Sequence, residues 1–405
     1  MTGPGFDPRA EPRPWVLVGT RPAEALPTVL RRAGRVLLIS DPDEGPVRPL
    51  MPGVRVQRLP FRSDPLAVLG ARLPEVVEAV VSFTELGLLP AAALAQARGL
   101  PGTSVATVIR TRDKLLMRHA LRGVLAQPEY GLCGRDEPRT YPVVVKPRNG
   151  SGSRGVRFVA TRDDFRVVAA AALGGLWEEF IEGAEYSVET VTFGGRHHVL
   201  GITEKRTTGA PHFVETAHVS PAEPAPPTRS AVHRAVTSCL DALGVTSGAA
   251  HTEIKIRDGE VFLIETHTRA GGDRIPLLTR LVSGHDQLDL ALTAVQEPQR
   301  RDLPDPAAVA GPVAGIRYFP WQDCVVRAVD GLEACRSMPG VVEAELSVGA
   351  GDEIPLWRYS HERPGYVVAT GADRAELDRR LDAAIEAVAV VTGPAGPREW
   401  AEAAS

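Results

Sequence analysis

Lysine is nearly missing from this chain. Of 46 basic residues among 405, four are lysines (Lys114, Lys146, Lys205 and Lys255) and the other 42 are arginines. The two cations differ in shape and hydration, so a compact ammonium is kept most stubbornly where a point charge must fit. These four positions are candidates for a site before any motif is sought. Cysteine is sparse too. Cys133, Cys239, Cys324 and Cys335 lack the paired spacing of zinc or redox motifs, which suits reduced thiols in a cytoplasmic protein. No apolar run reaches the roughly 18 residues of a membrane span. The start, MTGPGFDPRAEPRPW, is Pro-rich and polar and reads as a frayed tail, not as a signal peptide. A net charge of −4 makes no electrostatic case for nucleic acid or an anionic membrane. The first 110 residues hold no GxGxxG fingerprint and the chain has no Walker A loop, so neither a dinucleotide-binding N-terminal layer nor a P-loop is supported.

What is present is ordinary globular composition, 43% apolar and 24% charged, in a chain long enough for two or three domains. Trp15–Gly19, Arg35–Ser40 and Val76–Phe83 read as buried strands, with helices at Pro22–Ala33 and Pro90–Arg98 between and after them. That alternation predicts a parallel α/β layer with covered faces. A helix over Thr111–Leu121 carries Lys114. Tyr141–Val159 reads as strand, Gly/Ser loop, strand, and Leu176–Ile181 as a short strand. Gly194-Gly195 and Asp258-Gly259 are hairpin dipeptides, joining Tyr186–Phe193 to His198–Thr203 and Ala249–Ile256 to Glu260–Thr266. Arg229–Leu243 is an amphipathic helix. Pro298–Pro312 reads as a linker. Beyond it lie strands at Gly315–Phe319, Val325–Val329, Val341–Leu346 and Gly365–Thr370, then a helix over Arg374–Val391. This tail carries no clustered acid, histidine or cysteine, and reads as an α+β cover over one side of the site.

Two features carry chemistry. Lys146 ends the strand Val143-Val144-Val145 and precedes NGSGSRG, Asn149 to Gly155. A Gly/Ser loop exposes several backbone N–H groups to phosphate oxygens, and a lysine at its root adds a point charge. Joining two strands, this loop would act as a movable flap. The second feature is the pair Glu253 and Glu265, on facing strands of the Asp258-Gly259 hairpin. Unpaired facing carboxylates repel, whereas magnesium takes a few carboxylate oxygens and fills its shell with phosphate and water. His267 shares the strand face of Glu265, and Lys255 that of Glu253, because side chains alternate with period two.

The ordered set of lysine, flexible loop, acidic strand and two acids on a hairpin resembles the ATP-grasp superfamily, over about Arg110 to Leu292. The resemblance implies an ATP-grasp fold, both α/β and α+β. A pre-ATP-grasp α/β domain would span residues 1–110 and the nucleotide-binding region 111–305, with a lid lobe at about 138–182. An α+β region, 306–405, would follow. It also implies ATP with Mg2+, or Mn2+ in its place. Lys114 in TRDKLLMR and Lys146 match the two phosphate-binding lysines, and Ser151, Gly152, Ser153, Gly155 and Val156 the flexible loop. Glu178, Glu179, Phe180 and Ile181 look like the strand that holds adenine, and Glu185 the acid on the ribose. Glu253 and Glu265 match the magnesium carboxylates.

Within the superfamily, the detail is similar to L-amino-acid ligases and carnosine-synthase-like carboxylate–amine ligases. SFTELGLLPAAALAQARGLPG, Ser82 to Gly102, shares in this likeness. PHFVETAHVSP resembles their substrate segment, so Glu215 and His218 would recognise an α-amino group or deprotonate the attacking amine. ETHTRAGGDRIP resembles Glu-x-Asn-x-Arg-x-Gly-Gly, so Arg269 would hold the carboxylate and the acyl phosphate. Gly271, Gly272 and Asp273 would then line the substrate pocket, the glycines as a close-approach pair. His267 stands where Asn is usual, as a third metal-site residue, and this departure bears on a second magnesium. Lys205 would point to the γ-phosphate. The implied activity is ADP-forming ligation of two amino acids in the cytoplasm, in a chain for which the family makes a homodimer plausible. The alternatives are a γ-glutamyl-type ligase acting on a side-chain carboxylate and an ATP-binding sensor that has lost chemistry.

Overall fold

The computed structural model describes residues 13–47, 51–150, 152–307 and 312–394. The expected frayed tail, Ser151 of the flap and part of the expected linker lie outside them.

The first layer follows from two short apolar runs. β1 (Trp15–Val18) and β2 (Val36–Ser40) are buried along their whole length, as strands covered on both faces must be. They pair in parallel with each other and with β3 (Val54–Arg58) and β4 (Ala79–Val81), in the order β3-β2-β1-β4. The expected strand at 76–83 is thus cut to its central apolar residues. α1 (Ala25–Ala33) covers one face, and α2 (Leu88–Ala97), apolar but for Gln96, packs with β1, β2 and β4 on the other. Strand order reverses between β1 and β4. In open parallel sheets the crevice at the carboxyl ends of such a switch point is where ligands bind, and the chain leaving β4 there carries Glu85.

The single helix expected over 111–121 is two. α3 (Val105–Arg112) stops at Asp113, and α4 (Lys114–Ala120) starts after it. The Asp113 carboxylate accepts from the backbone N–H groups of Leu115 and Leu116, an N-cap, and also pairs with Arg148. Lys114 therefore opens a helix rather than lying within one.

β5 (Tyr130–Leu132), β6 (Val143–Lys146), β7 (Arg157–Val159) and β8 (Leu176–Glu179) make an antiparallel sheet ordered β5-β8-β6-β7. α5 (Arg162–Ala171) packs Phe165 against Trp177, Val143 and Val145 to give this lobe its own core. β6 and β7 are neighbours, so the Gly/Ser loop joins two paired strands as expected.

The largest sheet is antiparallel. It contains β9 (Ala184–Phe193), β10 (Arg196–Thr207), β11 (Glu215–Ser220), β12 (Gly248–Arg257) and β13 (Glu260–His267). α6 (Pro226–Leu243) buries Val232, Val236, Leu240 and Leu243 against Val188, Ile202, Ile254 and Leu263. α7 (Ile275–Ser283) and α8 (Gln287–Gln296) follow, and α8 packs Leu288, Ala291 and Leu292 into the core beneath α1.

Residues after 312 extend this sheet rather than standing apart from it. β14 (Val313–Tyr318) hydrogen-bonds to β11, giving the order β13-β12-β9-β10-β11-β14-β18-β16. The later elements are β15 (Cys324–Asp330), α9 (Leu332–Arg336), β16 (Val341–Leu346), β17 (Glu353–Ile354), β18 (Gly365–Gly371), α10 (Arg374–Glu386) and β19 (Ala389–Pro394). The expected helix to Val391 ends at Glu386. Its β-branched tail, with Val390 and Val391, pairs with β15 instead, where branched side chains pack better. No described helix is long and apolar enough to cross a membrane.

All four cysteines are free; Cys133, Cys239 and Cys335 are buried and Cys324 is half-buried. Burial pushes the Cys239 thiol up to about 12, and only thiolates react well. At pH 8 the folded protein should therefore consume one equivalent of a thiol reagent before unfolding. Cys324→Ser should remove that equivalent.

Candidate active site

A cleft of about 900 Å³, open to solvent, lies between the small antiparallel lobe and the central sheet. All four lysines of the chain line it, together with Glu178, Glu185, Glu215, Glu253 and Glu265. The scarcity of lysine thus converges on one place.

The floor is the β12–β13 hairpin. Its register sets Glu253 directly opposite Glu265, with a bulge just after Glu253. Each acid has its own ammonium. Lys114 Nζ lies 2.9 Å from Glu265, and Lys205 Nζ lies 3.0 Å from Glu253 and 2.8 Å from Glu185. Burial alone would raise the Glu265 and Glu253 pKa values. Lys114 beside the first and Lys205 beside the second outweigh it, holding both acids below the ordinary carboxylate range. Glu185, Glu253 and Glu215 hold Lys205 well above the usual lysine value despite its burial. Lys255 is the outlier: its ammonium donates to the Ile181 carbonyl, sits 4.8 Å from the Phe180 ring, and has its pKa lowered by burial.

Lys146 is fixed from below. Its Nζ lies 2.7 Å from Glu178, whose other oxygen accepts from Arg118 at 2.8 Å. Glu178 therefore spends its carboxylate between two buried cations, and Glu179 is paired with Arg257 at 2.9 Å. Phe180 and Ile181 line the cleft beside them. Of the flap, Gly152, Ser153 and Val156 reach the cleft, as does Arg154, which the sequence did not single out. Gly155 has φ +72, and a Cβ there would stand 2.9 Å from Pro147, so it serves the turn.

Beyond Glu265 the charges run on in a chain. His267 lies 3.2 Å from Glu265 through Nε2 and 3.0 Å from Glu85 through Nδ1, the latter without hydrogen-bond alignment. Glu85 accepts from Arg269 Nε at 2.9 Å. Burial opposes a charge on His267, but Glu85, against a smaller push from Arg269, and Glu265 raise its pKa. His267 thus stands with a carboxylate near each ring nitrogen, Glu265 and Glu85. Among the described residues no three His, Cys, Asp or Glu side chains form a ready-made metal cage. The pair Glu253 and Glu265 still fits magnesium, which needs only one or two carboxylates when phosphates and water complete its shell.

The substrate segment divides. Glu215 faces the cleft, 3.8 Å from Lys205, and accepts from Ser360 at 2.6 Å. His218, the register partner of Lys205, shares that sheet face but does not line the cleft. It is buried and meets Asp273 at 3.3 Å. Asp273 is in turn gripped by both terminal nitrogens of Arg363, at 2.7 and 3.0 Å, with Arg363 stacked 3.6 Å from the Tyr318 ring. A Cβ on Gly271 would stand 2.7 Å from His251, whereas one on Gly272 would meet nothing. The expected close-approach pair is a single close glycine.

Sequence reasoning missed Glu85, Arg118, Ser360 and Arg363. Arg118 lies one helical turn from Lys114 and could have been found on that face. The others come from distant segments and left no local signal.

The chain carries an ATP-grasp domain: a model of that domain matches residues 139–276. It also carries the L-amino acid ligase C-terminal domain 2, matched over residues 317–393. Its fold is that of an L-amino acid ligase from Bacillus licheniformis, with a TM-score of 0.83 and 24% identity, over 94% of this chain and 99% of that one. Alanine–anticapsin ligase from Bacillus subtilis (strain 168) is 26% identical over 305 residues, covering 62% of this chain and 64% of its own. Carnosine synthase 1 from Homo sapiens is 31% identical over 149 residues, covering 32% of this chain and 18% of its own. The chain thus matches less than two thirds of either curated relative.

Glu85 joins the first layer to His267 and Arg269 at the end of β13, and its replacement has a definite signature. Burial would raise its pKa, but His267 and Arg269 lower it below the ordinary range. A carboxylate depressed in the folded state stabilises above its unfolded pKa, about 4.3, and that stability is lost as pH falls below it. Glu85→Gln should cost about 3 kcal/mol at pH 7, as when one member of a buried pair is removed. In urea unfolding, the variant's stability should then fall less steeply than that of the wild type below about pH 4.3.

Proposed function

We propose that this protein is an ATP-dependent carboxylate–amine ligase that joins two amino acids with release of ADP and phosphate. The observation that carries this reading is the opposed pair Glu253 and Glu265. It lies in a cleft walled by every lysine of the chain and roofed by a Gly/Ser loop. Facing carboxylates between buried ammoniums are a poor way to stabilise a hairpin. They are a good way to receive a polyphosphate with its metal ion.

A carboxylate is a weak electrophile because its leaving group would be oxide. In the proposed reaction its oxygen attacks the γ-phosphorus of ATP and ADP departs, leaving an acyl phosphate. The amine then attacks the carbonyl carbon, phosphate leaves, and the amine gives up a proton. Magnesium held by Glu253 and Glu265 would neutralise charge on the β- and γ-phosphates. Lys146 and Lys114 offset phosphate charge, and Lys205 lies on the phosphate side of the acids. Glu185 faces the ribose, with Phe180 and Ile181 beside the base. Arg269, oriented by Glu85, holds the acceptor carboxylate and then the oxyanion. Glu215, steadied by Ser360, faces the incoming ammonium. The flap, closing over Gly152 and Ser153, keeps water from the acyl phosphate. Free thiols and an ATP substrate support a cytoplasmic setting.

With ATP, Mg2+ and a panel of amino acids, ADP should appear only when suitable amino acids are supplied. Chelation should stop it, and Mg2+ or Mn2+ should restore it. Glu265→Gln should lower ADP release about 100-fold or more while the protein stays folded, as read by circular dichroism. Wild-type rates in that variant would remove the metal assignment. ATP binding without ADP formation under any substrate would favour a sensor instead.

A further inference from the structure

Lys114 and Lys146 offset phosphate charge, and Lys205 lies on the phosphate side of the acids. Lys255 has no part in that scheme, although it lines the same cleft in a chain whose other 42 basic residues are arginines. The sheet sets its position. β9 runs between β10 and β12, and its Glu185 is the register partner of Lys205 on one side and of Lys255 on the other. One row across three strands therefore reads ammonium, carboxylate, ammonium, and all three side chains line the cleft. The two ammoniums are not equivalent. Lys205 Nζ lies 2.8 Å from Glu185 Oε1 and bonds it directly. Lys255 Nζ lies 3.8 Å from Glu185 Oε2, too far for a direct hydrogen bond. It is held from another side. The Ile181 carbonyl accepts one of its three N–H groups at 3.1 Å, and the Phe180 ring, 4.8 Å away, adds a cation–π contact.

We propose that Lys255 and Glu185 together grip one hydroxyl of the nucleotide's ribose, so that Lys255 makes the cleft selective for ribonucleotides over deoxyribonucleotides. The inference rests on the reading that puts Glu185 at the ribose, and adds a second binding residue there. Charge-assisted hydrogen bonds are about 2.8 Å long. Two of them meeting near a right angle at one oxygen set their outer atoms roughly 4 Å apart, which is the gap between Nζ and Oε2. A hydroxyl suits that gap, because its oxygen accepts from the ammonium while its hydrogen goes to the carboxylate. With Lys205 on Oε1, Oε2 is the oxygen left for that hydrogen. A methylene in the same place satisfies neither partner, and both lose water without gaining a bond. The row also runs in the right order for a nucleotide. Lys255 stands beside Phe180 and Ile181, on the side of the base, and Lys205 on the side of the phosphates. A compact ammonium leaves the gap open, whereas the broad guanidinium of an arginine would fill it.

Calorimetry with Mg2+ and ADP, 2′-deoxyADP or 3′-deoxyADP reads this contact without turnover. In the wild type, one of the two deoxy sugars should bind about tenfold or more weakly than ADP. Lys255→Met keeps an apolar stem and loses the ammonium. That ratio should then fall to about threefold or less, whatever happens to the affinity for ADP itself. Lys255→Gln, uncharged and on a shorter stem, should do the same and decides if the first variant fails to fold. A wild type that binds all three nucleotides within about threefold overturns the inference, as does an unchanged ratio in a folded variant. If Glu185→Gln collapses the ratio and neither Lys255 variant does, Glu185 stays at the ribose and Lys255 is only a neighbour. The expected ratios without ADP release from any amino acid keep Lys255 in its role and sink the ligase reading. No binding of any of the three nucleotides sinks both.

Discussion

Two negative charges facing each other across an antiparallel hairpin are the constraint on which this structure turns. Glu253 and Glu265 are register partners, and like charges so placed repel. Neither can be left alone in a buried setting, so each is matched by an ammonium from elsewhere: Lys114 from the start of α4 and Lys205 from β10. Those ammoniums must themselves be aimed. Lys114 is aimed because Asp113 breaks the helix ahead of it and pairs with Arg148 at the root of the flap. Lys146, beside it, is aimed by Glu178, which Arg118 of α4 holds in place. A few carboxylates thus tie the hairpin, the helices and the small lobe into one electrostatic unit.

The same logic explains why the first layer is attached where it is. Its sheet reverses order between β1 and β4, and the segment leaving β4 delivers Glu85 to His267 and Arg269. That acid belongs by sequence to the N-terminal layer and by contact to the hairpin. The C-terminal region behaves likewise. β14 joins the central sheet through β11, and the later loop places Arg363 on Asp273 and Ser360 on Glu215. Three segments far apart in the chain meet around one reacting centre.

Much of this could be read from the residues, for reasons that differ by element. Asp258-Gly259 set the hairpin and so put Glu253 and Glu265 on facing strands; even pairing from that turn would oppose Glu253 to Ile264, and the bulge at Ile264 is what brings Glu265 opposite it. The paucity of lysine marked the cleft without any motif. What escaped was set by contacts rather than by local pattern. Glu85 lies 184 residues from Arg269, and nothing in FTELG marks it as an anchor. His218 reads as a pocket residue beside Glu215, and the bulge at Thr216 does set both on the face of Lys205, but His218 is buried against Asp273 instead of lining the cleft. The β-branched end of α10 pairs with β15 because a tertiary partner was waiting for it. The break at Asp113 was legible in principle, since an aspartate ahead of an apolar run is an ordinary helix start.

The concentration of lysine has a practical side. Reagents that acylate primary amines find four side chains on this protein, and every one forms a wall of the same cleft. Burial lowers the pKa of Lys146 and Lys255, whereas neighbouring carboxylates raise those of Lys114 and Lys205. The arginine-covered exterior is inert to such chemistry. Coupling through lysine would therefore plug the cleft, the reverse of its effect on most proteins. Immobilisation belongs on Cys324, and an amine-reactive probe becomes a marker of the cleft itself.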